Sequence, residues 1–453
     1  MGHQNHLGEE SIGKLLLKYS IPAIIGRLVN ALYNIVDRMF IGRIPEVGSL
    51  ALTGVGITMP IISILLAFGM LIGIGSTANI SLNLVHGKID DSERLIGSAL
   101  TLSLIIGIII TIVGLVFLNQ ILNIFGASST TLIYAKQYIT VILGGCTFNI
   151  ISFALNSTVR ADGNPKMASF TMIAGCLTNV ILDYVFVFIL NMGIKGAAFA
   201  TVISQALTCS IIIYYYTKGN SNLKLKSSNI KLNKKLVSMT FAIGIAPFAT
   251  QIANSLVQVV ANNSLKAYGN DLSIGAMTII SSINMVFMMP IFGINQGCQP
   301  IIGFNYGAKK YHRAKKTFII ATIAATAICT IGGILIQIFP EFAISIFNND
   351  AELASVAIKG VRMYLLMMPI VGINIVATSY FQSVGKAKVS MFVSLLRQVI
   401  LLIPFTLILP LFLGLDGVWA SGACADFLSV VITLILIFKE FKSLNKLYAA
   451  EAA

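Results

Sequence analysis

Three carboxylates stand where a carboxylate is expensive. Asp37, Asp183 and Asp426 lie within or at the edge of long apolar runs, whereas nearly all the other Asp and Glu residues fall in the polar stretches between runs. A charge at the centre of a hydrocarbon layer costs about 3 kcal/mol or more, so an acid placed there is neutral, paired or facing water. Asp183 belongs to the stretch Thr178-Asn179-Val180-Ile181-Leu182-Asp183-Tyr184. Asn179 precedes it by four positions, so on a helix the two share one face. A carboxylate with an amide one turn away can hold a proton or supply oxygens to Na⁺. The competing reading is a structural Asp hydrogen-bonded between helices; the functional one leads because intramembrane acids are usually functional. For Asp37, in Tyr33-Asn34-Ile35-Val36-Asp37-Arg38, an ion-coupling role and an interfacial pair with Arg38 both fit. Asp426 has a basic partner available in Arg397 of the preceding run, and a buried structural ion pair is the favoured reading there.

The elements that must position these residues are membrane-spanning helices. Hydrophobic side chains make up 56% of the chain and charged ones 11%, against about a quarter charged in soluble domains. That balance excludes a water-soluble enzyme, a nucleic-acid-binding protein and a disordered scaffold. Apolar runs of about 20 residues or more occur at 19–42, 50–83, 95–118, 132–158, 168–190, 194–217, 236–264, 274–304, 317–339, 355–382, 389–411 and 416–438, which predicts an all-α polytopic membrane protein with twelve transmembrane helices. The net charge of +14 follows membrane orientation. If both termini are cytoplasmic, 22 Lys and Arg residues lie on that side against 6 on the other, the bias expected of inward-facing loops. Met1 to Glu10 lacks the basic and apolar segments of a cleavable signal peptide. The six cysteines sit in apolar segments without metal or redox spacing.

The longest polar interruption, Lys218 to Lys235, falls near the middle of the chain. Short matches recur in order across it: Ile124-Phe125 as Ile346-Phe347, Gly163 to Lys166 as Gly385 to Lys388, and Gly193 to Gly196 as Gly414 to Gly417. The near-constant offset predicts a duplicated unit, with an N-terminal six-helix lobe at 1–217, a cytoplasmic basic linker at 218–235 and a C-terminal six-helix lobe at 236–453. Two parallel repeats around a central cleft are a transporter architecture. Phe153, Asn254, Gln258, Met288 and Met289 are expected to line that cleft, although the neutral amides of the seventh span fit helix bridging equally well. No Walker loop, HExxH or GxSxG motif is present, and no loop is large enough for an ATP-hydrolysing domain. An integral-membrane transferase would need acids or histidines clustered in an interfacial loop, and none cluster that way. The expectation is therefore not an enzyme and no cofactor, with an H⁺ or Na⁺ gradient as the driving force.

The chain resembles the multidrug and toxic compound extrusion (MATE) transporters, and within them the bacterial branch of staphylococcal multidrug exporters. The resemblance rests on Ile21-Pro22 followed by Leu32-Tyr33-Asn34-Ile35-Val36-Asp37 and Phe40-Ile41-Gly42, on Arg160 with Gly163 and Lys166, on Asn179 with Asp183, and on Gly196 with Thr201. It implies that Asp37, Asn179, Asp183 and Thr201 form the proton or Na⁺ site, with Tyr33 and Tyr138 nearby. Arg27 departs from the family, whose first helix is usually apolar there; pairing with an acid and altered coupling both fit. The implied activity is antiport of lipophilic organic cations across a bacterial cytoplasmic membrane by a monomer in the lipid bilayer, with no nucleic-acid partner. A lipid-linked precursor flippase of the same superfamily is the alternative, disfavoured by acidic rather than basic interior residues.

Overall fold

The computed structural model describes residues 9–85 and 88–452; some side chains inside that range, Arg27 and Tyr33 among them, lie outside the description. Among the described residues the chain is helical and has no strands. Eight helices are long and apolar enough to cross a membrane. Three bent helix pairs pass the same test when each is taken as one span, and of these Leu132–Gly144 with Cys146–Ala161 and Ala351–Tyr364 with Met368–Ser383 each turn by 55°. The helix Ile12–Gly42 covers the first expected span.

The repeat predicted from short sequence matches has a backbone counterpart. Gly163 and Gly385 both adopt positive φ, +87° and +79°, and so do Gly193 and Gly414, +58° and +59°. L side chains are strained in this region, so glycine is required where these helices end. After Gly163 the next helix begins at once, because Asn164 Oδ1 accepts from the Met167 N–H at 3.0 Å and Pro165 occupies the first turn. A five-residue π turn, Val185–Ile189, follows Asp183-Tyr184, and a seven-residue one, Leu396–Leu402, contains Arg397.

The chain forms two compact units that do not divide at the linker. The first holds Tyr33–Lys266 and Asn270–Thr278; the second holds the chain up to Leu32, Ala267–Gly269 and everything from Ile279 onward. The seventh span, within Lys234–Tyr268, thus packs in the first unit rather than with the half that follows it in sequence. Glycine makes this possible. A Cβ at Gly75 would collide with the Thr240 carbonyl and one at Gly244 with the Leu71 carbonyl, so the helices Gly48–Val85 and Lys234–Tyr268 meet backbone to backbone.

Amide side chains then fasten the pair. Pro60 has no N–H, which leaves the Gly56 carbonyl one turn earlier without its helical donor. Asn262 supplies one at 3.2 Å. Ser63 and Gln258 share a hydrogen bond at 3.2–3.3 Å, Ser255 donates to the Pro60 carbonyl at 2.9 Å, and Asn79 donates to the Met239 carbonyl at 3.1 Å.

Two buried acids beyond the three singled out above hold the polar linker against this unit. Asp162 accepts from Tyr215 Oη at 2.5 Å and from the backbone N–H groups of Asn222 and Leu223 at 3.1 and 2.8 Å. Glu93 accepts from the Lys224 N–H at 3.0 Å and pairs with Lys226 Nζ at 2.6 Å. The Glu93 hydrogen bond and charge push the Lys226 ammonium above the ordinary lysine value. In the second unit Glu440 is likewise buried and pairs with Lys386 at 2.5 Å. Trp419, Tyr380 and Phe381 are its largest fully buried side chains.

Candidate functional site

The first unit gathers polar side chains from four helices into an otherwise apolar interior. Ile12–Gly42 brings Asp37 and Arg38, Leu132–Gly144 brings Tyr138, Pro165–Tyr184 brings Asn179 and Asp183, and Gly193–Thr217 brings Thr201. All six are buried. Gly175 lets Pro165–Tyr184 approach Gly193–Thr217, because a Cβ there would press on Thr208 Oγ1. Phe40 packs on Tyr184 and Phe188 with ring centroids 6.4 and 5.5 Å apart. Since Phe40 lies one turn beyond Asp37 and Tyr184 adjoins Asp183, this aromatic contact holds the ends of the two acid-bearing helices together.

The four-residue spacing of Asn179 and Asp183 works as helix geometry requires. In the amide orientation that satisfies both of its ends, Asn179 donates to Asp183 Oδ2 at 3.0 Å and accepts from the Thr201 N–H at 3.3 Å. The amide also lies 3.4 Å from Thr201 Oγ1. Asn179 thereby orients the acid: it joins Asp183 to the helix Gly193–Thr217. Among the described residues Asp183 Oδ1 has no hydrogen-bond partner, and neither has Asp37 Oδ1. Asp37 lies close enough to Asp183 for their charges to interact.

Sequence reasoning treated Arg38 only as an interfacial partner for Asp37. It is instead buried, with its charge felt by Asp37 and Tyr138 and with Nη2 3.4 Å from Met59 Sδ. Among the described residues the cluster thus contains two carboxylates and one guanidinium. A π turn directly after Asp183-Tyr184 is a second feature that sequence did not reveal, and such turns gather at functional positions. The side chains of Tyr33 and Arg27 lie outside the description.

The donor set suits a small cation or a proton. Two carboxylate oxygens without partners, a nearby threonine hydroxyl and an amide are hard oxygen ligands of the kind that Na⁺ or H⁺ takes. Among the described residues no three His, Cys, Asp or Glu side chains converge as a metal site.

The residues expected to line a cleft are dispersed. Phe153 packs over Gly69, Gln258 is bonded to Ser63, and Asn254 donates to Gln251 Oε1 at 2.8 Å. These three belong to the first unit. Met288 and Met289 belong to the second, where Met288 is buried and Met289 half-buried. The amides of the seventh span split between two jobs: Gln258, Asn262 and Asn263 bridge to neighbouring segments, the last through the Ile124 carbonyl at 2.7 Å, whereas Asn254 pairs within its own helix. A cavity of about 440 Å³ in the second unit, lined by Val356, Lys359, Leu413, Asp416 and Trp419 among others, contains none of them.

The pair expected at Arg397 and Asp426 is present. Arg397 Nε donates to Asp426 Oδ1, with Asp426 buried and the arginine side chain 24% exposed. Around it Ser429 Oγ donates to the Asp426 carbonyl at 3.0 Å and Asn374 bridges Ser429 and Thr433 at 3.2 and 3.0 Å. The two interior acid sites therefore differ in kind: Asp426 has a resident counter-ion, and Asp183 has an amide and, among the described residues, an oxygen without a partner.

The family model described as MatE matches residues 22–185 and 247–408, once in each half of the chain. The multidrug export protein MepA of Staphylococcus haemolyticus is 26% identical over 430 residues, covering 95% of this chain and 94% of its own. Among solved structures, the MATE multidrug transporter DinF-BH, in complex with a ligand, is 37% identical, covers 95% of this chain and 96% of its own, and superposes with a TM-score of 0.77. An inward-facing conformation of another multidrug resistance MATE family transporter reaches a TM-score of 0.89 at 21% identity, a likeness of fold.

Proposed function

The chain belongs to the MatE family of multidrug efflux transporters, and from that premise we propose that it is a secondary active exporter exchanging H⁺ or Na⁺ for amphipathic organic cations. The observation that carries the reading is the pair of buried carboxylate oxygens on Asp183 and Asp37 that have no hydrogen-bond partner among the described residues. Among those residues two carboxylates face the one guanidinium of Arg38, an excess of one negative charge in a low-dielectric interior, where a bare charge is strongly disfavoured. One proton or one monovalent cation neutralises it. Asn179 and Thr201 orient Asp183 and complete the oxygen shell around Na⁺ when Na⁺ is the ion. Tyr138 flanks the guanidinium, and Tyr33 joins the same group through the family resemblance.

In this account the ion and the organic cation compete. Loss of the proton or Na⁺ exposes negative charge that attracts an organic cation from the cleft, and reloading discharges it. Phe153, Asn254 and Gln258 of the first unit offer aromatic and amide groups to such a cation, and Met288 and Met289 of the second offer adaptable apolar surface. Lipophilic quaternary ammonium ions fit because aromatic faces attract them by about 0.5–2 kcal/mol each. That the relative DinF-BH was captured in complex with a ligand supports a ligand-binding site in this chain as well. The protein sits in the bacterial cytoplasmic membrane as a monomer, with both termini and the linker Lys218 to Lys235 on the cytoplasmic side, as the Lys and Arg bias indicates.

Binding of a lipophilic quaternary ammonium ion to the purified protein at about pH 6 and about pH 8 tests the competition. Carboxylates hold fewer protons at the higher pH, so binding is expected to be tighter there, or to weaken with added Na⁺ if Na⁺ is the coupling ion. Affinity indifferent to both, together with strong binding of a lipid pyrophosphate, would replace the exporter by a precursor flippase.

A further inference from the structure

We propose that the linker between the two sequence halves is a membrane-surface element that binds the headgroups of anionic phospholipids. Its first part is spoken for. Asp162 fixes the backbone of Asn222 and Leu223, Glu93 fixes Lys224 and pairs with Lys226, and the Leu225 N–H reaches back to the Tyr216 carbonyl at 3.1 Å. Leu223 is buried at this anchor, 1% exposed. A basic linker held only by surface charge would wander; this one is tied down at its start by two acids that are themselves buried.

The anchoring has a chemical consequence for the next residues. With Asp162 and Glu93 engaged, Lys231, Lys234 and Lys235 have no ion-pair partner among the described residues. Asp90, the acid whose charge reaches this region, acts on Lys226. Between and beside these lysines stand two large apolar side chains turned outward, Ile230 at 40% and Leu232 at 47% exposure. The stretch runs directly into the helix Lys234–Tyr268, the seventh span, and follows the sixth, Gly193–Thr217, so it lies where spans meet the bilayer surface. Exposed apolar residues interleaved with cations at that level match a layer with acyl chains just below and negative headgroups above. A zwitterionic surface would take the apolar side chains but give the three lysines no net attraction. The inference depends on the transporter reading only in placing this stretch on the cytoplasmic side.

The test uses the full chain with Cys176 and Cys424, the two half-buried cysteines, changed to Ser, and with an environment-sensitive fluorophore on Leu232→Cys. The labelled protein is placed in lipid nanodiscs of phosphatidylcholine alone or with phosphatidylglycerol. Phosphatidylglycerol should shift emission to the blue, and the triple change K231Q, K234Q and K235Q should return it to the phosphatidylcholine value. Raising salt to about 1 M, where the Debye length is about 3 Å, should do the same without altering any lysine, which covers the case of a triple variant that does not fold. Identical emission in both lipids, or a shift that survives both treatments, overturns the proposal. Discs offer the same lipid on both faces, so sidedness is judged separately: a cysteine at the exposed Ser228 that reacts with an impermeant reagent outside intact cells would refute the cytoplasmic placement alone.

Discussion

Asp183→Asn should abolish uphill efflux while leaving a folded, monodisperse protein. Asparagine fills the same volume, and its carbonyl oxygen can still accept from Asn179, so the link through Asn179 to Thr201 survives. What disappears is the atom that now has no partner, Asp183 Oδ1, and with it the charge that a proton or Na⁺ would neutralise. With Arg38 retained, the described side chains of the cluster then carry one carboxylate and one guanidinium, a neutral set that gives a coupling cation no electrostatic reason to bind. The expected result is accumulation against a gradient reduced to the level of empty membranes, with thermal stability equal to or above that of the parent, since a buried charge has been removed. Transport at the parental rate by a well-folded variant would make Asp183 a structural residue.

Asp426→Asn should have the opposite profile. Here the carboxylate has a guanidinium on it, and removing the negative partner leaves Arg397 without the acid to which it donates. Breaking a buried pair from one side costs about 3 kcal/mol or more, whereas replacing both partners by apolar residues of similar size is often neutral. Thermal unfolding followed by size exclusion should therefore show a large loss for Asp426→Asn and substantial recovery for Asp426→Leu combined with Arg397→Met. Equal stability of the single variant and the parent would mean that the pair is not what holds this part of the second unit together.

Both expectations start from the same sequence fact, an acid inside an apolar run, and they diverge because of neighbours. Sequence reaches a neighbour when it lies on the same helix: Asn179 and Asp183 could be placed on one face by spacing alone. It also reached Arg397 and Asp426, because opposite charges in consecutive spans have few other ways to be tolerated. It did not reach Arg38, whose position beside Asp37 read equally well as the edge of the membrane. Nor did it identify what Asn262 does, because the carbonyl that Asn262 satisfies belongs to Gly56 and is free only on account of Pro60. Hydropathy is blind to that kind of pairing. Asp162 and Glu93 looked like ordinary loop acids for the same reason, since their burial depends on how the linker folds back over them. The π turns have no periodic signature and surface only once the backbone is traced.

The packing units carry a similar lesson. Duplication made the linker the natural seam, and the positive-φ glycines at matching places preserve that history. Contact follows a different line because Gly75 and Gly244 allow the seventh span to sit against Gly48–Val85, where three amides and two hydroxyls then secure it. For transport, the helix after the linker must accordingly be assigned to the unit that bears Asp37 and Asp183.

Transport by purified protein in proteoliposomes, with the membrane potential clamped and either a pH or a Na⁺ gradient imposed, addresses the ion coupling directly. A fluorescent lipophilic cation should be concentrated against its own gradient only when one of these ions can flow the opposite way, and Asp183→Asn should remove this concentration. Concentration that persists with both gradients collapsed, or that is unchanged in Asp183→Asn, would contradict ion-coupled export through the Asp183 site.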